Sequence, residues 1–188
     1  MAKAKKKIGI VDFVILGILV VCLVLAIVGL SIDQWTTTEE VFGYTEDISF
    51  SDYLDRVSEM QDTINEMEEN GMDSAEAIEW VDSMLEESGL GTLTEMRAMV
   101  AFALITVLLL AVAAVICLLN IIFNIGFFRF IVLAAGVLAL VAGIVAIAIT
   151  AAFCGELLIV GAGAALLAVG GILGGLTAGA GFFLGKKK

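Results

Sequence analysis

The stretch that decides the fold is Ser31–Glu95, which reads SIDQWTTTEEVFGYTEDISFSDYLDRVSEMQDTINEMEENGMDSAEAIEWVDSMLEESGLGTLTE. It holds nineteen of the chain's twenty-one Asp and Glu residues and a single base, Arg56. A segment with this charge cannot lie in the hydrocarbon of a bilayer, because unpaired charges there are costly. Long apolar runs lie on both sides of it. The pattern predicts a membrane protein that presents one acidic domain, residues 31–95.

Four apolar runs dominate the chain, which has 188 residues, is 61% hydrophobic and has a mean hydropathy of +1.07. A helix needs roughly 20 residues to cross about 30 Å of hydrocarbon, and each run meets that length. The runs are apolar on all sides, unlike the amphipathic helices of a water-soluble core. We therefore predict an all-α membrane protein, a bundle of four transmembrane helices at residues 8–30, 96–124, 129–153 and 157–184.

The positions of the basic residues predict the orientation of the bundle. Eight of the ten Lys and Arg residues lie in the tails 1–7 and 185–188 or at Arg129, between the second and third spans. The positive-inside rule assigns this side to the cytoplasm. We expect a multi-pass protein of the cell membrane with both termini cytoplasmic and the acidic domain extracellular. A cleavable signal peptide is the alternative for the first run, which is longer than the apolar core of such a peptide.

The acidic domain shows the periodicity of two amphipathic helices. Apolar residues recur at spacings of three and four, which places them on one face of each helix. These stripes are Phe50, Leu54, Val57, Met60, Ile64 and Met67, then Ile78, Val81 and Leu85. Ser51 is predicted to cap the first helix, and Asp73 with Glu76 the second. The stripes are expected to pack against each other, with the membrane surface or a partner as alternatives.

Other polar signals flank the two helices. Gln34–Ile48 is predicted to contain a short extended element. Thr92 and Glu95 form a capping box, from which a helix is expected to run into the second span.

Three side chains are predicted to anchor the bundle at the membrane interfaces: Trp35, Arg97 and Arg129. Asp12 lies one turn into the first span. At this depth its carboxylate is expected to reach water or the lysines of the first tail.

Glycines crowd the fourth span, where Gly171, Gly175 and Gly179 form a row at intervals of four. Gly136 and Gly143 share one face of the third span. Glycine is poor for an isolated helix, so its use here predicts close approach to another helix backbone. That helix belongs either to the same bundle or to another copy of the chain.

The residues that usually carry chemistry are missing. The chain has no His, and its three cysteines lie in or beside the spans. Neither a phosphate-binding loop nor a calcium loop is present. We predict no catalytic, cofactor-binding or metal residues and no enzyme activity. An acidic domain is expected to repel nucleic acid, to bind divalent cations weakly and to attract a basic partner.

The layout resembles that of the claudin and peripheral-myelin-protein family of four-span membrane proteins. A large loop separates the first two spans and a short one the last two, and Trp35 and Glu95–Met99 lie where that family has a tryptophan and an Arg-Ala entry. The family's Gly-Leu-Trp motif and paired cysteines are missing, and helices are expected to replace its strands. The resemblance implies the four-span layout, and it carries over neither paracellular sealing nor ion selectivity.

The leading hypothesis is a non-enzymatic membrane protein with a structural, assembly or cell-surface interaction role. Its partners would be the lipid bilayer, membrane or cell-surface proteins, and its own copies. The alternative is an accessory subunit of a larger membrane enzyme or transport complex. An oligomeric channel comes third, because the spans carry few charged side chains to line a pore.

Overall fold

Helices make up most of the computed structural model, which describes residues 10–38, 46–123, 125–155 and 158–185. The predicted tail 1–7, residues 186–188 of the predicted tail 185–188, and also Tyr44, Asn124 and Glu156 lie outside these described residues. In chain order the elements are α1 (Ile10–Ser31), β1 (Thr36–Thr38), β2 (Asp47–Ile48), α2 (Phe50–Glu69), α3 (Ser74–Glu87), α4 (Leu93–Phe123), α5 (Gly126–Cys154), β3 (Leu158–Val160) and α6 (Ala162–Gly185).

Four of the described helices, α1, α4, α5 and α6, are long and apolar enough to cross a membrane. This finding confirms the predicted multi-pass membrane protein with a helical bundle. The spans differ from prediction at their ends. The α4 helix begins at Leu93, three residues before the predicted 96, because the Thr92–Glu95 capping box starts it there: the Glu95 N–H donates to Thr92 Oγ1 at 3.2 Å. The α6 helix begins at Ala162 instead of 157.

The four long helices form a ring in which α1 contacts α4 and α6, and α5 contacts the same two helices from the other side. Therefore α1 and α5 lie on one diagonal and α4 and α6 on the other. One end of the bundle holds α2, α3 and the strands, and we call it the sheet end. The other, where α1 begins and α6 ends, is the terminal end.

A small sheet joins the two loops at the sheet end. Its order is β2-β1-β3, and both pairings are antiparallel, with Thr36 opposite Ile48 on one side and Val160 on the other. Strands β1 and β2 fall within the predicted extended element. The three strands are only two or three residues long, and the fold is otherwise helical, as predicted; residues 158–160 of the predicted fourth span form β3 instead of helix. The strands contain β-branched Thr, Ile and Val, which favour extended backbone.

The residue that caps α2 lies two positions before the predicted one. Its cap is Ser49 and not Ser51: Ser49 has extended backbone, and its Oγ accepts from the Asp52 N–H at 3.1 Å. The Asp52 carboxylate accepts in return from the Ser49 N–H at 2.8 Å, which completes a capping box. The Ser49 hydroxyl also donates to Asp52 Oδ2 at 2.7 Å, and this hydrogen bond, together with the one from the Ser49 N–H, holds the pKa of Asp52 below its usual value. Asp73 caps α3 as predicted, accepting from the Ala75 N–H at 3.1 Å, but the predicted return bond that would complete a capping box with Glu76 is not among the bonds described for this cap.

Candidate functional site

The α2–α3 hairpin is built into the core of the bundle. Its inward residues form one buried cluster with the first turns of α4 and the last turn of α5: Phe50, Tyr53, Ile64, Ala77, Val81, Leu85, Leu93, Met96, Met99 and Phe153. The predicted packing of the two stripes is therefore extended to α4 and α5. Leu54, predicted in the first stripe, is 39% exposed, and Tyr53 occupies the buried position instead.

Trp35 lies at the centre of this cluster. Its side chain is fully buried, its Nε1–H donates to Met99 Sδ at 3.4 Å, and its ring centroid is 4.8 Å from that of Phe50. The prediction that Trp35 anchors the protein at the lipid interface was wrong. Because β1 pairs on both sides, the chain around Trp35 is held under α2, where the indole contacts protein and not lipid.

Tyr53 ties α2 to the sheet. Its hydroxyl lies 2.7 Å from Thr36 Oγ1, and its ring meets that of Phe153 edge-on at 5.8 Å. Burial disfavours the phenolate and raises the pKa of Tyr53 to about 12. The hairpin, the sheet and α5 thus meet at one buried phenol.

Polar contacts between the hairpin and α4 reinforce the apolar core. Asp82 in α3 accepts from the Leu93 N–H at 2.7 Å, so a carboxylate of one helix caps the first turn of another. Arg97, a predicted interfacial anchor, is half-buried, and its guanidinium donates to Gln61 Oε1 in α2. These contacts fix both helices of the hairpin to the start of a membrane span.

The outward face of the hairpin is exposed and acidic. Apart from Arg56, its charged residues are carboxylates: Asp52, Asp55, Glu59, Asp62, Glu66, Glu68, Glu69, Asp73, Glu76, Glu79, Glu86 and Glu87. Four large apolar side chains of the hairpin are exposed among them: Leu54 and Met72 at 39%, Trp80 at 45% and Met84 at 50%. The hairpin therefore presents a charged surface with an aromatic patch, on a base that packing holds in place.

The predicted glycine faces meet inside the bundle. A β-carbon built on Gly175 would lie 2.7 Å from the Gly136 carbonyl oxygen, and one built on Gly171 would lie 2.9 Å from that of Ala139 and 3.4 Å from the Gly143 Cα. Such distances leave no room for a side chain. A β-carbon on Gly179 would meet nothing within 4 Å. The row of three glycines therefore divides: two of them serve α5–α6 packing within the chain.

Sequence reasoning missed a second glycine contact, between α1 and α6. A β-carbon on Gly29 would lie 2.6 Å from the Gly163 carbonyl oxygen, and one on Gly170 would lie 2.7 Å from that of Cys22. Gly163 and Gly170 are seven residues apart and so share a helix face. That spacing was the available signal, and it points to a different neighbour from the row above.

An ion pair crosses the diagonal of the bundle near the terminal end. Arg129 Nη2 in α5 lies 3.3 Å from Asp12 Oδ1 in α1, and the two side chains are 22% and 19% exposed. Asn120 and Cys117 line a cavity of about 20 Å³ beside them, room for about one water. Asp12 was predicted to reach water or the lysines of the first tail, and it is paired with Arg129 instead. Arg129 was predicted to anchor the bundle at the membrane interface, but its side chain is mostly buried and pairs with Asp12 of α1.

Among the described residues, no three His, Cys, Asp or Glu side chains lie close enough to hold a metal ion, and Cys22, Cys117 and Cys154 are buried. Comparisons of the chain with protein-family models, with curated proteins and with solved structures return no match. The proposal for its function therefore rests on the geometry of the hairpin and the bundle.

Proposed function

We propose that the chain is a non-enzymatic, structural or interaction protein of the cell membrane, whose α2–α3 hairpin is a rigid acidic docking platform. One observation carries the proposal: the inner face of the hairpin belongs to the same buried cluster as α4 and α5, whereas its outer face is exposed and acidic. A surface held in place before binding loses little conformational entropy when a partner docks.

The orientation follows from the basic residues. Arg129 lies near the terminal end, and the lysine-rich tails join α1 and α6 there, which the positive-inside rule assigns to the cytoplasm. The hairpin then faces the cell exterior. The carboxylates of the hairpin that cap no helix attract cations, so weak binding of divalent cations accompanies docking. The resemblance of the layout to the claudin and peripheral-myelin-protein family, with one large loop between the first two spans, is part of this proposal.

The glycines contribute to this function by shaping the bundle. Gly171 and Gly175 contact α5, and Gly163 and Gly170 contact α1, so these positions hold α6 against both neighbours. Side-chain-free contacts let helix backbones approach closely, which is the main source of packing energy between helices in lipid. Assembly with other copies would therefore use the lipid-facing sides of the spans.

The test is gentle purification of the tagged full-length chain from its native membrane, followed by measurement of the mass and composition of the particle. We expect a defined assembly with a non-catalytic membrane or cell-surface protein, or with copies of the chain. A catalytic subunit in fixed ratio would favour the accessory-subunit alternative. A solitary monomer, or cation-selective currents from the purified protein in a planar bilayer, would overturn the proposal.

A further inference from the structure

Trp80 and Met84 are exposed on α3, outside the four helices that are long and apolar enough to span a membrane. Trp80 is 45% exposed and Met84 50%, more than Leu54 and Met72, the other exposed large apolar side chains described on the hairpin, at 39% each. Trp80 and Met84 are four residues apart, so they stand next to each other on one side of the helix. Tryptophan is usually well covered in folded proteins. An exposed pair of this kind marks a surface that another molecule covers.

Carboxylates bracket the pair along the helix. Glu76 precedes Trp80 by one turn, Glu87 follows it by two, and both are exposed. A cation set over the indole face would be attracted by the ring and by both carboxylates. The face therefore combines an apolar anchor site with a subsite for an Arg or Lys side chain.

We propose that this face of α3, formed by Glu76, Trp80, Met84 and Glu87 and here called the Trp80 face, docks a basic, partly apolar segment of a partner protein. The inference rests on the proposed docking function and names the chemistry of its partner. An Arg or Lys of the partner packs over Trp80 between the two carboxylates. An apolar side chain of the same segment covers Met84.

Charge decides among the possible occupants. Anionic lipid headgroups are repelled by a hairpin with thirteen carboxylates and one arginine, and Glu76 and Glu87 oppose insertion of the face into hydrocarbon. A second copy would bring the same acidic face against itself. The chain's own basic tails join α1 and α6 at the terminal end, on the other side of the membrane. The complementary occupant is a basic segment of a different protein.

The test is site-directed photocrosslinking in the native membrane. Ser83 is exposed beside Trp80, and the three native cysteines are buried, so Ser83→Cys places one reactive thiol next to the Trp80 face. The thiol is coupled to a maleimide photocrosslinker, and the adduct is analysed by mass spectrometry. We expect one protein adduct whose crosslinked peptide is rich in Lys and Arg.

Two further variants test the charges. In the S83C background, E76K/E87K should lower the adduct yield at least about tenfold, since like charges across an interface cost more than 1.4 kcal/mol. The control E66K/E69K makes the same change of net charge on exposed positions of α2 and should leave the yield nearly unchanged. All four positions are exposed, so unchanged thermal melting verifies the fold.

Several results would overturn the inference: no adduct, an adduct of the mass of a dimer, an adduct with lipid, a crosslinked peptide without basic residues, or an equal loss of yield in both charge variants. The mass of the purified assembly separates this failure from that of the proposed function. If the assembly persists in E76K/E87K, the proposed docking function of the hairpin stands, and the Trp80 face is not the surface that contacts the partner.

Discussion

Replacing single glycines of α6 with alanine tests the packing of the bundle with a matched pair. Gly175→Ala and Gly179→Ala make the same chemical change four residues apart in the same helix. Alanine is the better helix former by about 1 kcal/mol, and both variants gain this amount. At Gly175 the added β-carbon lies 2.6 Å from Leu140 Cβ and 2.7 Å from the Gly136 carbonyl oxygen, whereas at Gly179 it meets nothing within 4 Å.

The packing penalty therefore falls on one variant of the pair. Overpacking of a tight site costs about 1–3 kcal/mol, so Gly175→Ala should be less stable than Gly179→Ala by about that amount. Relative to the native chain, Gly179→Ala should be more stable by up to about 1 kcal/mol and Gly175→Ala unchanged or less stable by up to about 2 kcal/mol. The free energies of unfolding would be measured by circular dichroism in mixed micelles with increasing denaturing detergent. Equal stabilities of the two variants would refute the close approach of α5 and α6 at Gly175.

Three further predictions concern the charges, the buried phenol and the orientation. Asp12→Asn should lower the free energy of unfolding by about 1–3 kcal/mol, a value between those for exposed and for buried ion pairs. Adding Arg129→Gln should recover part of this loss. Additive losses in a double-mutant cycle would contradict an interaction between the two side chains. Tyr53 has a pKa of about 12 in the folded state against an ordinary 10, so its contribution to stability is complete below pH 10 and is lost as the pH rises through 12. In Y44F, Tyr53 is the only tyrosine, and the tyrosinate absorbance should therefore titrate near pH 12 and not near pH 10. Asn70→Cys lies at the exposed turn after α2 and should react with an impermeant maleimide on intact cells, and labelling only after permeabilisation would reverse the orientation.

The spans and most of the caps could be predicted from the sequence because their causes are local. Bilayer thickness dictates runs of about 20 apolar residues, and a cap needs a side chain within three or four positions of the N–H groups that it satisfies. Thr92–Glu95 and Asp73 were found in this way. Ser51 was predicted where Ser49 acts, because both precede an acidic residue within the first turn and the choice depends on the burial of Phe50.

Contacts between distant segments could not be predicted. Strand β1 has two or three residues in each ladder, and its partner Val160 lies more than a hundred positions away, so no periodicity marks the sheet. The indole of Trp35 donates a hydrogen bond to Met99 on α4, and the rule that places tryptophans at membrane interfaces does not predict that contact. Asp12 and Arg129 are 117 positions apart, and their pairing depends on how four helices are arranged around a ring.

The acidic composition of residues 31–95 contains two kinds of carboxylate that a charge count does not separate. Asp52 closes the capping box of α2, Glu95 closes that of α4, and Asp82 of α3 accepts from the first turn of α4. These carboxylates complement the positive ends of helix dipoles and hold the hairpin on the bundle. Exposed carboxylates such as Glu76 and Glu87 supply the charge that a partner meets. Because the capping carboxylates fix the position of the exposed ones, the same residue type both builds the platform and determines the charge of what binds to it.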